Sequence, residues 1–93
     1  MRRYHQDEES RINGERHAGI VIKNDKLLIV HRIKDGREYW VFPGGHRRDN
    51  ESGEAAVVRE VFEETGITVA NPRLAIKFPD LVEPNVNYYY FCE

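Results

Sequence analysis

The chain alternates between short hydrophobic runs and polar turn segments. Runs rich in β-branched, leucine and aromatic residues predict β-strands. These runs cover residues 18–22, 26–33, 38–42, 67–69, 73–78 and 87–92. Asn24 and Asp25 separate the first two runs and are typical turn residues, which predicts a β-hairpin. Pro43 has no N–H to donate and ends the third run, and the two glycines after it predict a sharp turn.

Residues 53–65 show a different pattern, in which apolar side chains recur at helical spacing. Ser52 is a typical N-cap residue, and Gly66 can adopt the left-handed conformation that ends many helices. We therefore predict one helix over residues 53–65. Its buried stripe is expected to comprise Ala55, Val57, Val58, Val61 and Phe62. Its charged residues are expected on the other faces, namely Arg59, Glu60, Glu63 and Glu64.

Several strands around one helix, without a regular βαβ alternation, predict an α/β fold of the α+β type. In this fold a mixed sheet packs on the helix. Residues 1–16 contain four arginines and four acidic residues but almost no apolar side chains. We expect residues 1–16 to form a flexible arm and residues 17–93 to form one domain.

The composition narrows the classes of function. The 93 residues are 32% charged and 40% hydrophobic, which is typical of a globular domain. The net charge of −2 argues against binding to duplex nucleic acid, which needs a positive excess. No apolar run is long enough to cross a membrane or to act as a signal peptide, so a cytoplasmic location is expected. The single cysteine, Cys92, lies in an apolar run and is interpreted as a packed side chain rather than a nucleophile.

An acidic cluster in the predicted helix is the strongest candidate for chemistry. Glu60, Glu63 and Glu64 are spaced i, i+3 and i+4, which places three carboxylates on one face of the helix. Like charges at this spacing repel, and the cluster therefore favours binding of a hard divalent cation. The alternative interpretation is an acidic face that is simply solvated.

The residues around this cluster form a longer pattern. Gly45 is followed at fixed intervals by Glu51, by Arg59-Glu60-Val61, by Glu63-Glu64 and by Gly66-Ile67. This pattern resembles the signature of the Nudix hydrolases at every defined position. The preceding segment, residues 40–45, also looks like the strand that leads into this signature in the family. The resemblance covers residues 17–93 and implies a Nudix-like mixed sheet packed on the Nudix helix.

The resemblance also implies an activity. Nudix hydrolases cleave a nucleoside diphosphate linked to another moiety, such as a nucleoside triphosphate or a nucleotide sugar, with Mg²⁺ or alternatively Mn²⁺. It implies that Glu60, Glu63 and Glu64 are catalytic metal ligands and that Glu60 accepts a proton from water. A backbone carbonyl at Gly44 or Gly45 is expected to complete the metal shell, because glycine lets the main chain approach an ion closely.

Other polar residues are assigned supporting roles. Glu51 and Arg59 are expected to pair and to hold the glycine loop on the helix. Arg32, Gly44 and Arg47 are candidates for contact with substrate phosphates, although a solvated basic tip is an equal alternative for Arg47.

The chain departs from the family pattern at Arg48, at Asn50, where many members carry glycine, and in its length. Arg48 stands where many members carry an acid, so we expect the loop to be displaced or differently paired. The family domain normally continues with another strand and a C-terminal helix, whereas this sequence ends at Glu93. Asp80, Glu83 and Glu93 remain alternatives for a further acidic residue in the site.

A sheet without that helix would expose apolar surface, which motivates the hypothesis that the chain forms a homodimer. It also leaves open an alternative function, a degenerate Nudix module that binds a nucleotide without cleaving it.

Overall fold

The structure, a computed structural model, describes residues 11–79 and 86–93. These residues form the strands β1 (Arg11–Lys23), β2 (Lys26–Leu27), β3 (Val30–Lys34), β4 (Arg37–Val41), β5 (Gly44–Arg48), β6 (Arg73–Pro79) and β7 (Val86–Cys92). The described part of the chain contains one helix, α1 (Gly53–Thr65). This composition of mostly strands with one helix confirms the predicted α+β fold.

The long strand β1 organises the main sheet. The sheet runs in the order β2-β1-β7-β6, and β5 also pairs with β1. Strands β1 and β7 are parallel, whereas β2 and β5 run antiparallel to β1. His17 lies opposite both Gly45 of β5 and Tyr88 of β7. The sheet is therefore mixed, as predicted.

The predicted first hairpin is confirmed in part. Asn24 and Asp25 have positive φ angles of 53° and 61°, and Ile22 pairs with Leu27 across this turn. The second run, however, divides after β2. Its remainder, β3, pairs with β4 in a separate two-stranded sheet.

Three boundaries differ from the prediction. Strand β1 begins at Arg11, so residues 11–16 belong to a strand rather than to the arm, while residues 1–10 lie outside the described residues. Gly44 and Gly45, predicted to form a sharp turn, begin strand β5. Residues 67–69 form no strand. Residues 11–16 and 44–48 form strands because their backbones hydrogen-bond to neighbouring strands. Such bonding does not require apolar side chains, so the sequence of these segments shows no hydrophobic pattern typical of a strand.

The helix has the predicted bounds and caps. The Ser52 hydroxyl accepts a hydrogen bond of 3.1 Å from the Ala55 N–H. Gly66 has a φ of 77°, and its N–H donates to the Phe62 carbonyl at 2.8 Å. Left-handed backbone of this kind strains other residues, which accounts for glycine at the C-cap.

The core lies between α1 and the sheet. Five buried residues form it: Val57, Val61, Val69, Tyr90 and Cys92. Burial raises the pKa of the Cys92 thiol, in keeping with a packed side chain. The predicted buried stripe was wrong at Ala55 and Phe62, which are exposed. Glu60, which was predicted on a polar face, is buried. Glu60 is buried because it follows Val57 by three residues and so shares its face.

A buried polar network joins β1, β5 and β7. His17, which is 3% exposed, contacts the Tyr90 hydroxyl through Nδ1 at 2.9 Å and Glu15 through Nε2 at 3.0 Å. Arg47 donates to the same Glu15 carboxylate at 3.0 Å. Burial raises the pKa of Tyr90 to about 12, so its hydroxyl stays protonated in this network. The network fixes β5 on β1.

Apolar residues are exposed on strands β6 and β7 of the main sheet. They include Leu74, Ile76, Phe78 and Phe91. This exposure is consistent with the homodimer hypothesis, which stays a prediction that analytical sedimentation can test. None of the helices in the described residues is long and apolar enough to cross a membrane.

Candidate functional site

The three glutamates of the acidic cluster lie on the second half of α1. Glu60 is 1% exposed, and the Glu64 side chain is 4% exposed. Glu63 is more accessible, with 28% of its side chain exposed. Two of the three carboxylates are therefore shielded from water, which strengthens their interactions with nearby charges.

The glycine pair at the start of β5 lies against these carboxylates. A Cβ atom on Gly45 would overlap the Glu60 carboxylate, so the absence of a side chain permits this approach. The Gly44 N–H donates to Glu64 at 3.0 Å. Gly44, predicted to contact substrate, is thus placed against Glu64 in this structure.

Arg59 and Glu51 form the predicted ion pair. The Arg59 guanidinium lies 2.5 Å from the Glu51 carboxylate and donates to the His46 carbonyl at 3.2 Å. It also contacts Glu60 at 3.2 Å and Glu63 at 3.3 Å. Burial by itself lowers the pKa of Arg59, but hydrogen bonding to Glu51 and the charge of Glu60 raise it overall. The arginine therefore stays charged and ties the loop to the helix.

The pKa of Glu51 predicts an acid-sensitive fold. Burial raises it, but the hydrogen bonds from Arg59 and the Arg48 backbone lower it overall below 4.5. Hydrogen bonds from Arg47 and His17 likewise lower the pKa of Glu15. A lowered folded-state pKa stabilises the fold above the unfolded value, and this contribution is lost as the pH falls.

We therefore expect the free energy of unfolding to fall as the pH drops below 4.5, the reference value for both carboxyls. Urea denaturation at a series of pH values measures this. Glu51→Gln should make the acid dependence shallower, whereas Glu54→Gln, at an exposed position, should leave it unchanged. An equally steep dependence in Glu51→Gln would contradict the assignment.

Further arginines surround the cluster. Arg32 lies 2.7 Å from Glu64, which agrees with its predicted place near the site. Arg48 lies 3.9 Å from Glu63, so its charge is paired there as expected for a departure from the family pattern. Arg47, a candidate for contact with substrate phosphates, is held by groups of the protein in this structure. It contacts Glu15 and the Glu51 carbonyl, because Glu15 on the adjacent strand provides a carboxylate partner.

The family is decided by comparison with family models. The NUDIX domain model matches residues 14–93, which is most of the chain. The chain belongs to the Nudix hydrolase family. The match begins within β1, in the segment that the sequence alone assigned to the arm.

Similar Nudix proteins are known in sequence and in structure. A MutT-like protein of Streptomyces ambofaciens is 45% identical over 82% of this chain and 49% of its own length. An RNA pyrophosphohydrolase of Pasteurella multocida is 45% identical over 55% of this chain and 26% of its own length. The mutator MutT protein of Bacillus halodurans superposes with a TM-score of 0.71 at 32% identity, covering 84% of this chain and 54% of that protein. This chain therefore spans about half or less of these relatives.

Glu60, Glu63, Glu64 and the Gly45 carbonyl offer carboxylate and backbone oxygens, which are the ligands that a hard divalent ion prefers. Gly45 also brings main chain against the Glu60 carboxylate. However, no three His, Cys, Asp or Glu side chains within the described residues converge on one ion. Each of the three carboxylates instead contacts an arginine, and their role as metal ligands stays a prediction.

The close approach at Gly45 yields a prediction. Gly45→Ala is expected to displace the Glu60 carboxylate, to slow hydrolysis and to destabilise the fold by about 1–3 kcal/mol through overpacking. Hydrolysis rates and urea denaturation measure the two effects. Gly36→Ala is the control for hydrolysis alone. No atom lies within 4 Å of the added Cβ, so hydrolysis should not change, although the positive φ of 76° at Gly36 makes alanine destabilising there as well. Full activity in Gly45→Ala would contradict the prediction.

Two features of the site escaped the sequence analysis. Arg16 lies near the acidic cluster, but the polar residues around it placed it in the arm. The contacts of His17 with Glu15 and Tyr90 join distant strands and left no local motif. The one usable signal was the position of His17 at the start of an apolar run.

Proposed function

We propose that this Nudix chain hydrolyses the phosphoanhydride bond of a nucleoside diphosphate linked to another moiety. The observation that carries this proposal is the packing of the Glu60 and Glu64 carboxylates against the Gly44-Gly45 backbone, with Arg59 tying the loop in place. Such a site can combine metal ligands with groups that hold a diphosphate.

Glu60, Glu63, Glu64 and the Gly45 carbonyl would hold Mg²⁺, with Mn²⁺ as the alternative. The bound ion would neutralise phosphate charge and polarise the attacking water. Side chains that offer only oxygen donors suit both ions. Glu63, the most exposed of the three glutamates, is the one that water reaches most readily.

The chain's own residues would perform the remaining tasks. Glu60, shielded from bulk water, is proposed to accept the proton from the attacking water. Arg32, 2.7 Å from Glu64, is proposed to bind a substrate phosphate oxygen through its guanidinium fork. Glu51 and Arg59 would keep the glycine loop in position, so their effect on catalysis is indirect.

The group attached to the diphosphate is proposed to be a nucleoside, as in nucleoside triphosphates or nucleotide sugars. The relatives carry the names MutT-like protein and RNA pyrophosphohydrolase, so a 5′-triphosphorylated RNA is a further class to include. The site residues described above would contact the diphosphate, which all these substrates share, and so would not distinguish them.

A hydrolysis panel tests the proposal. The 93-residue chain is incubated with nucleoside triphosphates, nucleotide sugars and 5′-triphosphorylated RNA, with Mg²⁺ or with a chelator. We expect release of phosphate, pyrophosphate or nucleoside monophosphate from at least one class, and only with the metal. Hydrolysis that persists in the chelator would contradict the metal requirement. Nucleotide binding without turnover of any class would instead support the non-catalytic Nudix module, which the arginine contacts of all three carboxylates favour.

A further inference from the structure

Arg16 is a cation at the edge of the site that the Nudix pattern does not include. It lies on β1, opposite His46 of β5 and Asn87 of β7. Its guanidinium donates to the Phe42 carbonyl at 3.1 Å. Phe42 immediately precedes Pro43 and the glycine pair, so this hydrogen bond places the guanidinium beside the start of β5, where Gly44 and Gly45 lie.

The charges around Arg16 show which region it faces. Burial lowers the pKa of Arg16. The charge of Tyr89 raises it, as do the charges of Glu64 and Glu60, and the charge of Arg32 lowers it. Arg16 and Arg32 are therefore both within electrostatic range of the same carboxylate, Glu64. Two arginines beside one another repel, and a shared anion offsets that repulsion.

The hydrogen bonding of Arg16 is incomplete. A guanidinium has about five N–H donors in a planar fork. Within residues 14–79 and 86–93, Arg16 makes one side-chain hydrogen bond and no ion pair within 4.0 Å. A partly buried cation in this situation is costly, whereas an anion with several oxygens would satisfy both its charge and its donors.

We propose that Arg16 acts together with Arg32 as a second phosphate-binding arginine, contacting the substrate's phosphate oxygens. The inference rests on the proposed function, since it assumes that a diphosphate lies beside Glu60 and Glu64. A metal ion bound to these carboxylates would take up part of their negative charge. The two arginines would then be less fully neutralised, and binding of an anion beside them would become more favourable. The competing explanation is that Arg16 only anchors the Phe42 carbonyl.

Binding of methylene bisphosphonate, a non-hydrolysable diphosphate, separates the two explanations without requiring turnover. Titration calorimetry in the presence of Mg²⁺ is carried out on the wild-type chain and on Arg16→Lys and Arg16→Gln. Lysine keeps the charge. Glutamine keeps a donor for the Phe42 carbonyl but is neutral. Arg73→Met, at an exposed arginine on β6, is the control.

We expect Arg16→Gln to weaken bisphosphonate binding about 10-fold to 100-fold, as for loss of a charged hydrogen bond. Arg16→Lys should retain more of the affinity, and Arg73→Met all of it. If Arg16→Gln and Arg16→Lys bind equally well, or if affinity follows the melting temperature rather than the charge, Arg16 is an anchor and the proposal is overturned.

The same titration separates this inference from the proposed function. Charge-dependent bisphosphonate binding through Arg16 in a chain that hydrolyses no substrate would support the inference and contradict the catalytic proposal. If a substrate is hydrolysed, Arg16→Gln should raise KM more than it lowers kcat, since the lost contact is present in both the bound substrate and the transition state. Hydrolysis with unchanged KM in Arg16→Gln would overturn the inference alone.

Discussion

Glu63→Gln and Glu64→Gln are each expected to slow metal-dependent hydrolysis by about 100-fold or more, since a metal ion contributes several kcal/mol to the reaction. Glutamine has the shape of glutamate but lacks the negative charge that a divalent ion requires. In Glu64→Gln the amide oxygen can still accept from the Gly44 N–H or from Arg32, so the fold should remain intact. Steady-state hydrolysis of the best substrate from the panel measures the loss.

Glu54→Gln provides the matched control. It makes the same chemical change on the same helix, but Glu54 lies in the first turn and is exposed. We expect this variant to keep its activity. Circular dichroism and thermal unfolding should show that the three variants are folded. Full activity in both Glu63→Gln and Glu64→Gln would rule out a catalytic role for the acidic cluster.

Arg59→Met is expected to lower the free energy of unfolding by about 3–5 kcal/mol. Arg59 contacts Glu51, Glu60 and Glu63, and its removal takes a shared cation away from carboxylates that are partly or fully buried. The cost arises from those uncompensated charges more than from the lost attraction. Urea denaturation at neutral pH measures it.

A double-variant cycle tests how much of this loss of stability comes from the interaction between Arg59 and Glu51. Glu51→Gln removes one of the stranded charges, so the combination with Arg59→Met should cost less than the sum of the single changes. Arg73→Met should change stability by no more than about 0.5 kcal/mol, as is usual at the surface. A loss below about 1 kcal/mol in Arg59→Met would mean that the network contributes no more than an exposed ion pair.

Local signals identified α1 because its determinants are contained in the segment itself. Ser52 and Gly66 act on adjacent backbone groups, and the predicted bounds of 53–65 match the structure. Strand β5 was missed because its residues, Gly44–Arg48, have no alternating hydrophobic pattern. It is a strand because β1 pairs with it, and this pairing is encoded far away in the chain.

The site residues divide in the same way, into those that local sequence predicts and those that depend on strand pairing. Spacing along one helix was enough to propose Glu60, Glu63 and Glu64 as metal ligands, which stays a prediction, and the Glu51–Arg59 pair is formed as predicted. The burial of Glu60 was not predicted, because an acidic residue is assigned to a polar face by its type alone. Arg16 and the partner of Arg47 were also missed, since both depend on strand pairing that brings β1 against its neighbours.

Titration of the chain with Mn²⁺, followed by electron paramagnetic resonance of the free ion, tests the central claim that the α1 carboxylates hold a divalent metal. We predict saturable binding to the wild type and to Glu54→Gln. The affinity for Mn²⁺ should be weakened at least about tenfold in Glu63→Gln and in Glu64→Gln. Equal Mn²⁺ affinity in the wild type and both of these variants, or no saturable binding to the wild type, would contradict the claim.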